Sequence, residues 1–372
     1  MLVGVPKEIK TQEHRVGLVP ASVRELVHNG HEVVVETGAG AGIGSGDDVY
    51  VAAGARIADA PEEIYAAAEM IVKVKEPQPH ELEQLREGQV LFTYLHLAAD
   101  ADVAKGLQDS GCTAIAYETV TDDHGGLPLL APMSEVAGRM SVQVGAHCLE
   151  KEQGGVGLLL GGVPGVPAAR VVILGGGVVG TNAARMAMGM EASVTVIDKS
   201  LPRLYQLDLQ FGPKINTIFS TLDAIETHVR DADLLIGAVL VPGGTAPKLV
   251  SREMVAHMRA GSVIVDVCID QGGSCETSRP TTLADPTYVE EGVVHYCVTN
   301  MPGAVARTSA IGLNNATLPF VMALAGKGYR QALADDPHLL AGLNVHRGRI
   351  THEAVARDLG CEYLPAAQAL AA

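Results

Sequence analysis

The stretch VVILGGGVVG, residues 171–180, is four apolar residues running straight into a glycine cluster. Gly175, Gly177 and Gly180 give the spacing G-x-G-x-x-G directly after a strand-like run and at the head of a helical pattern. There the first glycine takes a sharp turn, the second leaves a pyrophosphate unobstructed, and the third lets helix and strand pack closely. The helix N-terminus then favours the phosphate charge. The next apolar run, SVTVID, ends at Asp198, 18 residues beyond Gly180. An acid at that point can bond the hydroxyls of an adenosine ribose. Its charge would repel a 2′-phosphate, so the pattern favours NAD over NADP, although Lys199 and Arg203, themselves candidate cofactor-binding residues, stand close by.

Working outward, strand and helix signals alternate on both sides of residues 135–150. Before it lie LVGV (2–5), EVVVE (32–36), MIVKVK (70–75), VLFTYLH (90–96) and TAIAYE (113–118), separated by helical patterns. After it lie VVIL (171–174), SVTVID (193–198), DLLIGAV (233–239), SVIVDV (262–267) and VVHYCV (293–298). Strands apolar on both faces, alternating with helices, imply parallel sheets covered on both sides. The expected fold is α/β: two Rossmann-like doubly wound parallel-sheet domains separated by an active-site cleft. SEVAGRMSVQVGAHCLEKEQGG reads as a long connecting helix with Ser134 as its N-cap. A mostly helical tail after Pro302 is expected to return to the first domain. The expected division is therefore 1–133 plus 305–372 for substrate and catalysis, and 134–304 for NAD.

A chain of 372 residues can build two cores. Its formal net charge of −16 argues against nucleic acid or an anionic membrane as partner. No apolar run approaches the ~20 residues of a membrane span, and residues 1–15 lack the core of a signal peptide. A soluble, cytoplasmic protein is expected. The six cysteines form no C-x-x-C pair, so they read as reduced, buried thiols, and no cluster has metal-ligand spacing.

Ligands of doubly wound sheets bind beyond the carboxyl ends of the strands. The polar residues there are Arg15 after the first strand, Lys75 at the end of the third run, His96 at the end of the fourth, and Asp270 and Asn300 in the second half. Singly, each has a plain reading: Arg15 a surface cation, Lys75 a solvated strand end, His96 a core histidine, Asp270 a turn acid. Together they offer two cations for a carboxylate and a histidine and an aspartate for proton transfer.

Several blocks carry a resemblance that spans essentially the whole chain: GVPKEIKTQEHRVGLVPASV, VKVKEPQ, LFTYLHLAAD, LAPMSEVAGRM, GGVPGV, IGAVLVPGGTAPKLV and DVCIDQGGSCETSRPTT. They resemble the bacterial L-alanine dehydrogenase family, whose relatives include the NAD-binding subunit of proton-translocating transhydrogenase. The resemblance implies reversible oxidative deamination of L-alanine to pyruvate and ammonium with NAD+ reduced to NADH, in a homo-oligomer, usually a hexamer. It implies that Arg15 and Lys75 bind substrate and that His96 and Asp270 are the catalytic pair. Ser134, the glycine turn with Val178, Asp198, Ser220, Val239, Leu240, Val267, Asp270, Asn300 and Met301 match cofactor-contacting positions. Met133 and small neighbours would restrict the pocket to a methyl-sized side chain.

The implied chemistry removes a proton from the substrate ammonium, moves hydride from the α-carbon, and adds water to an iminium. A histidine suits such proton transfers because its imidazole titrates near neutrality. Asp270 would act as a base if burial raised its pKa, or as a stabiliser of the cationic iminium. Arg15, through a two-point grip, and Lys75 would fix the carboxylate. Residues 134–150 and 299–305 are candidate hinges for closure. The rival readings are a transhydrogenase subunit, whose family counterpart lacks the histidine and the acid found here at 96 and 270, a non-catalytic NAD-binding protein, and deamination of another small amino acid.

Overall fold

The structure is a computed structural model that describes residues 1–239 and 245–371. It divides into two compact units, Met1–Pro132 with Val305–Ala372, and Met133–Ala304.

The first unit holds strands β1 (Leu2–Val5), β2 (Glu32–Glu36), β3 (Arg56–Ala58), β4 (Met70–Val72), β5 (Val90–Thr93) and β6 (Thr113–Ala116), joined by β14 (Leu343–His346) and β15 (Arg349–Ile350) from the tail. Among the described residues the sheet order is β15-β14-β6-β5-β4-β1-β2-β3. Strands β1 to β6 pair in parallel, because Val33–Val35, Met70–Val72 and Leu91–Phe92 are buried and need helices on both faces. The helices supply apolar faces such as Ile64, Val103 and Leu107, which join Ile71 and Leu91 in one core.

The sheet is mostly parallel, with β14 antiparallel to β6 and β15 antiparallel to β14 at one end. The tail is mostly helical, as expected, and also supplies this hairpin, which Arg347 (φ 47°) and Gly348 (φ 77°) close at left-handed angles. One expectation needs correction here. The third apolar run stops as a strand at Val72 and the fourth at Thr93, three residues short of Lys75 and His96. The next residues keep one backbone bond each, Lys73 N to Phe92 O and Tyr94 N to Val74 O, and side-chain carboxylates take the amides that follow. Val74 N donates to Glu8 Oε1 at 2.6 Å, and His96 N donates to Glu118 Oε1 at 2.6 Å.

The second unit holds β7 (Arg170–Leu174), β8 (Ser193–Asp198), β9 (Asn216–Phe219), β10 (Leu234–Gly237), β11 (Val263–Asp266), β12 (Thr287–Glu290) and β13 (Val293–Tyr296). Their order is β12-β13-β11-β10-β7-β8-β9, parallel throughout except that β12 pairs antiparallel with β13 at the edge. Edge strands β9 and β12 are only partly buried, so their sequences lack the apolar runs that mark β7 and β10. The helix Ala131–Cys148 begins earlier than its sequence suggests. Pro132 fits the first helical turn, which needs no N–H there, and Ser134 consequently lies inside the helix instead of capping it. Gly138 lets this helix press against the next: a Cβ there would overlap Val179 O.

Candidate active site and nucleotide turn

In the first unit, the carboxyl ends of β1, β4 and β5 are lined with buried charge. Lys73 is fully buried, and its ammonium contacts Glu81 Oε1 at 2.6 Å and Glu8 Oε2 at 3.3 Å. Burial alone would lower the Lys73 pKa, but the two carboxylates outweigh it and hold the ammonium protonated. Glu8 also receives Val74 N and, at 3.3 Å, Lys75 N, so one carboxylate ties the loop after β1 to the segment after β4. Lys10 and Glu76 form a further pair across the same two segments.

Arg15 is 3% exposed and faces Glu13. Its Nε donates to Glu13 Oε1 at 2.7 Å and its Nη2 to Oε2 at 2.5 Å, while Arg15 N also reaches Oε1 at 3.0 Å. Burial would raise the Glu13 carboxyl, yet the Arg15 hydrogen bonds and charge hold it below the usual carboxylate range. The Nε and Nη2 edge of the guanidinium is therefore held by Glu13.

Lys75 differs from both neighbours. It is half-buried, and among the described residues its ammonium makes no hydrogen bond or ion pair. Burial lowers its pKa below the ordinary lysine value of 10.5, and the nearby Arg15 cation lowers it further. Its carbonyl accepts Thr93 Oγ1 at 2.9 Å, which fixes it beside the end of β5. Three residues beyond Thr93, His96 is exposed at φ 51°, a left-handed conformation uncommon outside glycine. Its ring lies parallel to Tyr94, with centroids 5.8 Å apart and planes at 8°. Tyr94 is itself pinned by its hydroxyl to Leu129 O at 2.5 Å.

In the second unit, β7 leads into the glycine turn. Gly175 has φ 100°, and a Cβ there would meet Ala238 O. Gly180 lies so close to Gly175 O that a Cβ would overlap it, whereas a Cβ on Gly177 would meet nothing within 4 Å. A turn that is crowded behind and open in front at the start of helix Val178–Gly189 fits a pyrophosphate. Asp198, at the end of β8, accepts Gly176 N at 2.6 Å and Ser200 N at 2.8 Å, so its carboxylate is set against the turn. Arg203 donates to Gly176 O at 2.5 Å, Thr181 Oγ1 at 2.6 Å and Gln206 Oε1 at 2.7 Å. Its guanidinium is engaged in bracing the turn. Lys199 is exposed.

Ser220 follows β9, and its N donates to Asp198 O at 3.0 Å, placing it beside Asp198. Val239 follows β10, with its N 3.1 Å from Cys268 Sγ. Leu240 lies outside the described residues. Val267 and the exposed Asp270 belong to the 3₁₀ turn Val267–Gln271 beyond β11. Asn300 sits at φ 62°, and Met301, 2% exposed, begins another 3₁₀ turn. Ser134 is half-buried in its helix.

Residues that the sequence did not single out hold these in place. Asp266 is fully buried and accepts Cys268 N, Ser274 N, Ser274 Oγ, Cys275 N and Ser278 Oγ, so it anchors the turn that carries Asp270. Glu8, Glu13 and Glu118 do the same for the first unit. Their only sequence signal was acids packed among cations in PKEIKTQEHR, and a lone acid after TAIAY. Of the cysteines, five are buried and Cys361 is exposed.

Two units of mostly parallel sheet and flanking helices, one opening on a strand–glycine turn–helix, define the Rossmann-like α/β class. The alanine dehydrogenase/PNT N-terminal domain matches residues 4–137, and the alanine dehydrogenase/PNT C-terminal domain matches residues 141–353. An alanine dehydrogenase of Halomonas elongata is 62% identical over 367 residues, 99% of each chain. One of Bacillus subtilis is 57% identical over 371 residues, 100% of this chain and 98% of its own. A solved L-alanine dehydrogenase superposes with a TM-score of 0.94 at 54% identity, covering 97% of this chain and 99% of that one. The chain belongs to the alanine dehydrogenase/PNT family.

Proposed function

We propose that the protein is an NAD-dependent L-alanine dehydrogenase, interconverting L-alanine and pyruvate plus ammonium. The observation that carries this reading is the ammonium of Lys75, half-buried beside Arg15, with no hydrogen-bond or ion-pair partner among the described residues and close to the strand that leads to His96. A desolvated cation of this kind is completed by a small anion, and a substrate carboxylate supplies one. Whole-chain identity to alanine dehydrogenases supports the same reading.

NAD+, when bound, accepts the hydride. The chain's own residues do the rest. Lys75 neutralises the carboxylate, and Arg15, itself oriented by Glu13, provides the second cation. His96 takes the proton that the substrate ammonium must lose before its nitrogen can push electrons toward the α-carbon. Asp270 stabilises positive charge or shares the proton traffic. The turn of Gly175, Gly177 and Gly180 with Val178 cradles the pyrophosphate, and Asp198 binds the ribose. Ser134, Ser220, Val239, Leu240, Val267, Asn300 and Met301 complete the nucleotide contacts. Arg203 braces the turn from behind, and only the exposed Lys199 remains to attract a 2′-phosphate, which supports NAD as the cofactor.

The protein works in the cytoplasm as a homo-oligomer, a hexamer by family likeness. No helix among the described residues is long and apolar enough to cross a membrane. Exposed Leu201, Tyr205 and Leu209 along one helix supply apolar surface for association, which light scattering on the purified protein would measure.

One assay tests the substrate. Purified protein is mixed with NAD+ and single amino acids at mildly alkaline pH, and NADH absorbance is followed. Fast NADH formation with alanine is expected. Turnover with serine or 2-aminobutyrate but none with alanine would move the substrate, and silence with every amino acid would favour hydride exchange or binding alone.

A further inference from the structure

Beyond Tyr94, whose N still donates to Val74 O at 3.3 Å, the next two amides turn to a single carboxylate. Glu118 sits in the 3₁₀ turn Tyr117–Thr119 just after β6, the neighbour of β5. Its Oε1 accepts His96 N at 2.6 Å and Leu95 N at 3.1 Å, and its Oε2 lies 3.2 Å from Leu95 N. The same Oε1 is 3.9 Å from His96 Nδ1. The imidazole is thus bounded on one face by Tyr94 and on its Nδ1 edge by Glu118.

We propose that Glu118 is the positioning residue of His96: it locks the left-handed turn that presents the ring and faces Nδ1, so that Nε2 is the nitrogen that exchanges protons with substrate. The inference rests on the reading that His96 moves the substrate proton. The left-handed backbone at His96 needs support, since only glycine adopts it without strain, and two amide donors converging on one carboxylate supply that support. At 3.9 Å the Glu118 carboxylate makes no direct hydrogen bond to Nδ1. Its negative charge still favours the neutral ring with the proton on the nearer nitrogen, Nδ1, which leaves the Nε2 lone pair to act.

Proton transfer then balances simply. An N–H bond of the substrate ammonium breaks, an Nε2–H bond forms, and the positive charge arises on a ring already facing an anion. The other titratable groups against Glu118 do not cancel that anion. His352, at the head of helix Glu353–Leu359, is held neutral near pH 7 because burial lowers its pKa. Tyr94 stays protonated because burial raises its own.

The test compares the full-length wild type with Glu118→Gln and His96→Ala. Glu118→Gln keeps the size and one acceptor but removes the charge. Its kcat with alanine should fall ~10-fold or more, while NADH affinity and the KM for alanine stay within about twofold. Nitrogen-15 spectra of the imidazoles at alkaline pH, where histidine side chains are neutral, read the tautomer directly. His96, assigned by its loss in His96→Ala, should be Nδ1–H in the wild type and shift toward Nε2–H in Glu118→Gln. Near-normal kcat in Glu118→Gln alongside a crippled His96→Ala would overturn the role of Glu118 and leave that of His96. Near-normal kcat in His96→Ala would overturn the underlying reading itself. Should Glu118→Gln not fold, the wild-type spectrum still decides, since a dominant Nε2–H form contradicts the proposal.

Discussion

The two units share an architecture but finish their strands in opposite ways. In the first, the carboxyl ends of β1, β4 and β5 meet buried charged side chains: Glu8, Glu13, Arg15, Lys73, Glu76 and Glu81 are all under 9% exposed. In the second, the ends of β7 and β8 meet glycines and backbone amides, and the buried charges among the described residues are Asp233 and Asp266. Asp266 is satisfied by amides and hydroxyls rather than by a cation. The first pattern suits a small charged molecule held by point charges. The second suits a long, flat ligand held along its backbone of phosphates. What distinguishes two sheets of one design is the chemistry at their ends.

The largest expected effect breaks the first pattern. Lys73→Met leaves Glu8 and Glu81 buried without their cation and should cost about 3–5 kcal/mol in a denaturant melt. A loss under about 1 kcal/mol would mean that the buried charges relax into water and do not organise the strand ends. Among the described residues of the second unit the buried Asp233 pairs only with the exposed Arg259, before the start of β10, so the counterpart at its strand ends is steric. Gly180→Ala would force a Cβ into Gly175 O, and NADH affinity should drop ~10-fold or more as the turn deforms. Unchanged affinity by fluorescence titration would remove the glycine turn from the nucleotide site.

A smaller effect sharpens the contrast through pH. Lys75 has a depressed pKa, so its charge is present below that value and disappears as pH rises toward the ordinary 10.5. The KM for pyruvate should therefore climb at alkaline pH with a midpoint below 10.5, and Lys75→Arg should move that climb upward. A flat profile in the wild type would show that no cation of the first unit is lost to titration there. The smallest effect concerns neutral buried histidines. Burial lowers the pKa of His346 and His352 in the first unit and of His295 in the second. The unfolded chain then binds more protons than the folded one as pH falls below about 6.5, so stability declines on that side. A Tm a few degrees lower at pH 5.5 than at 7.5 is expected, and replacing these histidines by Gln should flatten the difference.

Much of the fold was legible because its central strands are apolar on both faces and its glycine turn has a fixed spacing. Strands β3, β9, β12 and β15 escaped notice, since short edge strands carry mixed or exposed residues and no continuous apolar run. Strand β14 is buried throughout, but Asn344 and His346 break its apolar pattern. The site divided in the same way. Lys75, His96 and Asp198 stand out because they follow apolar runs. Glu8, Glu13, Glu118 and Asp266 do not, because a buried acid is indistinguishable in sequence from a solvated one until its amide donors are known. Ser134 misled for a related reason. A serine before an apolar pattern is a good cap, but Pro132 had already started the helix.

The central claim is that the first unit supplies the substrate's counter-charge and proton relay while the second holds the nucleotide. Lys75→Met tests it most directly, with NADH affinity and alanine turnover measured on the same preparation. The account predicts NADH affinity within about twofold of the wild type and turnover at subsaturating alanine reduced by ~10²-fold or more. Near-normal turnover, or a loss of NADH affinity matching the loss of turnover, would contradict it.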